Sequence, residues 1–275
     1  MAKVTKPLVP PSKALPQRRG VFLDQLTRSE AFRWTFIAVA GFLAGELIST
    51  GLVEIAASLT GNRSQLSTLA TSSSPPSWYI ICSLAGLWVG LLGAAIVARK
   101  FGGGIQRPLG LSFSPIDLLG VIIGIGSQLI IGVLYLPFRS HIAHFDAPIT
   151  KLTGSSHGAS VVVIVVMTVV GAPFFEELFF RGVLFRGLEG FSSLATKRIG
   201  ALCIIAAAMV GDGLLFGLAH GEFVQLPGLA LFGVLLAFLF FRTGRLGMCI
   251  VSHLSFNGLA LVSYYSSSGS VLPWH

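Results

Sequence analysis

Long apolar runs separated by short polar breaks dominate the pattern along the chain. The stretch after Arg33 stays apolar for about 25 residues, too long for a signal-peptide core, and no persuasive cleavage site follows it, so it predicts a spanning helix. Runs near 78–98, 116–137, 159–180, 199–220, 226–242 and 246–264 predict six more at roughly 20 residues per crossing, the 226–242 run being the shortest. The expected fold is all-α, a polytopic membrane bundle of about seven transmembrane helices, with an eighth or re-entrant segment as the variant. Residues 1–31 read as a basic cytosolic tail, partly disordered and interrupted by Pro7, Pro10, Pro11 and Pro16. Residues 32–275 read as one membrane domain with its informative motifs in 159–264 and no convincing internal repeat.

Composition supports this reading. Of 275 residues, 53% are hydrophobic and 11% charged, which excludes an ordinary soluble globular protein. The formal net charge is +8, but the basic residues collect in the breaks, so a nucleic-acid partner is not expected. Arg99, Lys100 and Arg107 mark the second break, Arg186, Lys197 and Arg198 the fourth, and Arg242 and Arg245 the sixth. Arg63 is the sole basic residue of the first, and Arg139 and Lys151 lie in the third. The positive-inside rule then predicts a cytosolic N-terminus and an external C-terminus. Cys82, Cys203 and Cys249 lack ligand spacing and read as packing residues. Gly86, Gly90, Gly93 and Ala94, like Gly120, Gly124 and Gly126, read as sites of close helix approach in lipid.

Polar groups inside apolar helices carry the chemistry, because each costs several kcal/mol by order of magnitude unless it is paired or lines a polar cavity. Glu176, Glu177 and Arg181 stand in an aromatic background. Glu177 and Arg181 are four apart and can pair, while Glu176 points roughly 100° away and, partly desolvated, suits receiving a proton from water. The competing reading pairs both acids with Arg181 and Arg186 near the cytosolic interface. Pro173 just before the pair either loosens the helix or is a harmless kink. Phe216 and His220 share one helical face, as do His253 and Asn257. A neutral His220 can orient or activate water, and His253 with Asn257 can donate to an oxyanion; alone, each pair also reads as an interfacial cap or an interhelical hydrogen bond. Convergence of all these groups on one cavity is the economical account.

Other chemistries fit poorly. No GxSxG or HExxH occurs. Asp212, between Gly211 and Gly213, has only Asp117 as a partner for aspartyl-protease chemistry, in the wrong flanking pattern. His141, His144, Asp146 and His157 fall in a predicted external loop, where solvation outweighs metal binding. Glu46 and Glu54 interrupt the first helix, either facing an internal cavity or moderating its lipid exposure.

The ordered set EExxxR (Glu176, Glu177, Arg181), FxxxH (Phe216, His220) and HxxxN (His253, Asn257) resembles the CPBP family of intramembrane proteases, also called the CAAX prenyl protease or Abi family. The resemblance covers roughly residues 115–264. It implies intramembrane peptide hydrolysis, with Glu176 and His220 activating water, His253 and Asn257 stabilising the oxyanion, and Glu177 and Arg181 positioning the first motif. It implies no cofactor, and no motif demands a metal, although a divalent ion is chemically compatible. The partners implied are a membrane-embedded or lipidated peptide substrate and the lipid bilayer of a bacterial cell membrane, with room for a membrane-protein partner. The reading from another class is a non-catalytic membrane scaffold or regulatory or immunity subunit on the same fold. A transporter is the third, weakened by the lack of repeated broken helices. One tension accompanies the shared site: simple alternation puts Glu176 in the cytosolic half and His220 near the external end, unless the 159–190 helix continues through Arg186.

Overall fold

The computed structural model describes residues 26–101, 109–141 and 158–267. Among them, seven helices are long and apolar enough to cross a membrane. In chain order they are α1 (Arg28–Leu59), α2 (Ser77–Phe101), α3 (Leu119–Tyr135, entered through a 3₁₀ turn Pro115–Leu118), α4 (Ala159–Leu194), α5 (Arg198–Ala219), α6 (Leu226–Thr243) and α7 (Gly247–Ser267). The chain is a multi-pass helical membrane protein, as the apolar pattern predicts. The loop residues Arg107, His144, Asp146, Lys151 and His157 and the tail up to residue 25 lie outside the described residues.

Helix α1 starts where its capping chemistry dictates. The Thr27 hydroxyl accepts from the Glu30 N–H, and the Glu30 carboxylate accepts from the Thr27 N–H at 2.7 Å, a reciprocal capping box. Along its length Glu46 and Glu54 are exposed on the outer face, so neither fills the internal cavity that was one expectation for them.

Glycine settles where helices touch. A Cβ on Gly90 would run into the backbone of Gly45 on α1, and one on Gly86 into the backbone of Ser49, so α1 and α2 cross with their backbones in contact. Gly93, three residues along, meets nothing within 4 Å. The same contrast holds between α3 and α7: Gly124 lies against the Ser252 carbonyl, while Gly126 faces open space. Gly213 on α5 likewise abuts α6 at Ala230 and Val234.

Helix α4 is the irregular element. It runs as α-helix over Ala159–Val166, widens to a π-helix over Met167–Gly171, returns to α-helix over Ala172–Phe179, widens again over Phe180–Phe185, and closes through Arg186–Gly190 and a final 3₁₀ turn. Pro173 sits at the start of the central α-helical stretch, immediately after the first π-helical one. A proline supplies no N–H, and the wider turn before it accommodates the interruption, so Pro173 marks a local change of helix type. The helix therefore passes beyond the apolar boundary near residue 180 and carries Arg186 inside it. The guanidinium is buried over the Phe240 ring, 5.2 Å from its centroid, and does not stand in the basic loop where its spacing suggested.

That extension removes the depth conflict. From Glu176 to the end of α4 at Leu194, and from the start of α5 at Arg198 to His220, the two antiparallel arms rise about 27 Å and about 33 Å at 1.5 Å per residue, bringing the two groups to similar height. The core between the arms is aromatic. Phe179, Phe180, Phe185, Phe216, Phe232 and Phe240 pack in it with Trp34, Leu91 and Leu236, whereas outward residues such as Leu47 and Ile122 are exposed as bilayer contact requires.

Candidate active site

Four helices deliver one cluster. Glu176 and Glu177 come from the α-helical stretch of α4 between its two π-helical stretches, Arg181 from the second of these, His220 from the end of α5 and His253 from the second turn of α7, with α6 covering the group. π-Helical insertions recur at functional sites because the extra residue rotates the following side chains relative to a regular helix.

The two acids hold different positions, as their 100° separation predicts. Glu177 is fully buried. Its Oε1 accepts from Arg181 Nη1 at 2.8 Å and from His253 Nδ1 at 2.9 Å. Glu176 keeps a small exposure, and its Oε2 lies 3.9 Å from Nε2 of His220 and 3.9 Å from Nε2 of His253. Atoms at that separation are beyond direct hydrogen bonding and within reach of one bridging water.

The imidazoles are oriented from behind. His220 Nδ1 donates to the Phe216 carbonyl at 2.8 Å and His253 Nδ1 donates to Glu177, so each neutral ring carries its proton on Nδ1 and turns an Nε2 lone pair towards Glu176. This assignment refines the expectation that His253 donates to an oxyanion. It donates from Nε2 only when that nitrogen also carries a proton, with Nδ1 held by a carboxylate as in an acid-histidine pair. His220 lies just beyond the described span of α5. Desolvation lowers its pKa, outweighing the opposing effect of the Phe216 carbonyl, and the Arg181 charge acts in the same direction as the desolvation. The ring is thus kept neutral and able to accept a proton.

Phe216 is the hub of the aromatic packing. It is fully buried, with ring centroids 4.8 Å from His220, 5.4 Å from His253 and 5.2 Å from Phe180, and its face lies 4.7 Å from the Arg181 guanidinium carbon. Phe232 from α6 closes the other side of His253 at 5.6 Å. The FxxxH spacing places the phenyl one turn below its histidine, where it fixes both imidazoles and the cation.

Asn257 is held differently. Its side-chain amide donates to the Thr168 carbonyl at 3.0 Å, inside the first π-helical stretch of α4. One amide proton therefore braces the irregular turn of α4 against α7, and the second remains for other use.

One member of the cluster was set aside on sequence grounds. Asp212 on α5 is fully buried with its Oδ2 3.5 Å from Arg181 Nε, whereas Asp117, its supposed partner, pairs with Arg245 at 2.9 Å. Asp212, Phe216 and His220 form one stripe at intervals of four residues, so extending the FxxxH spacing by one turn towards the N-terminus would have found it. Among the described residues, no group of three or more His, Cys, Asp or Glu is arranged to hold a metal ion.

The Rce1-like type II CAAX prenyl endopeptidase family model matches residues 158–259, a stretch containing every motif residue of the cluster. No curated protein and no solved structure matches the chain. Over the helices that build this site, the chain is similar to the Rce1-like type II CAAX prenyl endopeptidase family, in agreement with the resemblance carried by its three motifs.

Proposed function

We propose that this protein is an intramembrane endopeptidase that hydrolyses a peptide bond in a membrane-associated or lipidated peptide. The observation that carries the reading is the placement of Glu176 Oε2 at 3.9 Å from two imidazole Nε2 atoms, each ring held by its other nitrogen. A water among these three atoms is polarised by a carboxylate and two lone pairs in a largely desolvated site, where such contacts are stronger than in bulk water.

In this mechanism Glu176, assisted by His220, removes a proton from the water as its oxygen attacks the scissile carbonyl carbon. The carbonyl π pair moves onto oxygen, giving a tetrahedral oxyanion. The remaining amide proton of Asn257 donates to that oxyanion, and His253 joins it from Nε2 once the proton that Glu176 removed has passed to that nitrogen, Nδ1–H staying on Glu177. The same proton then returns through Glu176 to the leaving nitrogen, the C–N bond breaks, and an amine and a carboxylic acid separate. Glu177 and Arg181 position His253 without touching substrate. The N-terminus is assigned to the cytosol and the C-terminus to the opposite face of a bacterial cell membrane, following the basic breaks between helices.

The test uses purified protein in lipid vesicles with an internally quenched peptide ending in a prenylated cysteine and three further residues, beside an unlipidated transmembrane peptide. Cleavage of either, abolished by Glu176→Gln with the fold retained, is expected. Correctly folded protein that binds such peptides and cleaves neither would favour the scaffold reading.

A further inference from the structure

The Glu177–Arg181 pair follows from helical spacing, but the guanidinium is held on three edges by three elements. Nη1 donates to Glu177 on its own helix, Nη2 donates to the Gly233 carbonyl on α6 at 3.0 Å, and Nε faces Asp212 Oδ2 on α5 at 3.5 Å. Phe216 stacks beneath the plane. A planar cation with fixed donor directions transmits orientation in a way a flexible ammonium does not. Glu177 then spends the same oxygen, Oε1, on both Arg181 and His253, so a change in guanidinium tilt moves the acceptor that holds the imidazole.

Asp212 is the part of this chain that the proposed mechanism leaves unused. It is fully buried, and neither of its oxygens accepts a hydrogen bond among the described residues. A carboxylate in such surroundings is costly unless a cation faces it, and Arg181 Nε is the group that does. Its placement one turn below Phe216 puts the acid on α5, the helix capped by His220. The chain from Asp212 through Arg181 and Glu177 to His253 therefore links the two histidine-bearing helices behind the site.

We infer that Asp212 is a positioning residue of the active site: by fixing the Arg181 guanidinium from α5, it fixes Glu177 and keeps His253 in the Nδ1–H tautomer with Nε2 aimed at Glu176. The claim rests on the peptidase reading for its consequence in turnover, whereas its structural half is measured without substrate.

The first measurement is ¹⁵N NMR of histidine-labelled protein in detergent micelles, with the His253 signal assigned by its loss in His253→Gln. Unmodified protein and Glu176→Gln are expected to show the Nδ1-protonated ring, and Asp212→Asn to lose that single-tautomer signature. The second is a kinetic cycle. Asp212→Asn is expected to lower kcat by about tenfold or more with KM within about twofold, and to add little on an Arg181→Lys background, because both changes break one linkage. An unchanged His253 signal in Asp212→Asn, or kcat losses that multiply in the double variant, would overturn the assignment. Asp212→Ser, smaller and neutral, repeats both measurements should the asparagine variant not fold; failure of both to fold counts against a positioning role, since stability alone would then explain the acid. If Glu176→Gln retains cleavage, the peptidase reading fails while the NMR result still decides the role of Asp212.

Discussion

Replacing Arg181 with Met removes the cation at nearly constant volume and leaves two fully buried acids, Glu177 and Asp212, without it. The Gly233 carbonyl loses its donor as well. Breaking a buried ion pair by deleting one partner costs about 3–5 kcal/mol, because the surviving charge keeps its desolvation penalty. At about 2–4 °C per kcal/mol for a chain of this size, the midpoint of thermal unfolding should fall by roughly 6–20 °C. Intrinsic tryptophan fluorescence of detergent-solubilised protein reports it, since Trp34 is buried against the core and Trp88 stacks on Phe175 beside the acids at 4.7 Å. Adding Glu177→Gln and Asp212→Asn to Arg181→Met should recover much of the loss, because the uncompensated acids are then gone. A drop below about 2 °C for Arg181→Met alone, corresponding to roughly 1 kcal/mol or less, would refute the view that this network is desolvated and mutually dependent.

Gly90→Val should force α1 and α2 apart and cost about 1–3 kcal/mol or more, whereas Gly93→Ala should change stability by no more than about 1 kcal/mol; thermal unfolding of both variants separates the contact glycine from the open one. Asn257→Ala should destabilise by about 1 kcal/mol through loss of its bond to the Thr168 carbonyl and should lower kcat, with unfolding and peptide cleavage as the two checks. His220, observed by NMR, should stay neutral as pH falls through the usual imidazole range and take up its proton only below it; a midpoint above that range contradicts the desolvated placement of the ring.

Apolar run length foretold the seven spans, because lipid allows few alternatives to a helix of about 20 residues. Helical spacing foretold the Glu177–Arg181 pair and the shared face of Phe216 and His220 for the same geometric reason. The course of α4 was less legible. Its π-helical stretches and its continuation through Arg186 depend on aromatic partners from other helices, Phe240 among them, which local periodicity does not contain. The glycines show the same limit: Gly90 and Gly93 are alike in sequence, and only the position of α1 makes one a contact. Asp212 was considered only as an aspartyl-protease acid because its actual partner is a cation on another helix, while the partner sought for it, Asp117, serves Arg245. The tautomer of His253 was also out of reach, since it depends on an acid 76 positions away.

The central claim is that Glu176 activates water for peptide hydrolysis, and the most direct measurement is quantitative mass spectrometry of membrane peptides from cells carrying either the native chain or Glu176→Gln at equal abundance. The account predicts shortened peptides with new termini in the native cells and their intact precursors in the variant cells. Identical peptide populations, with the biological activity of the chain intact in both, would contradict it.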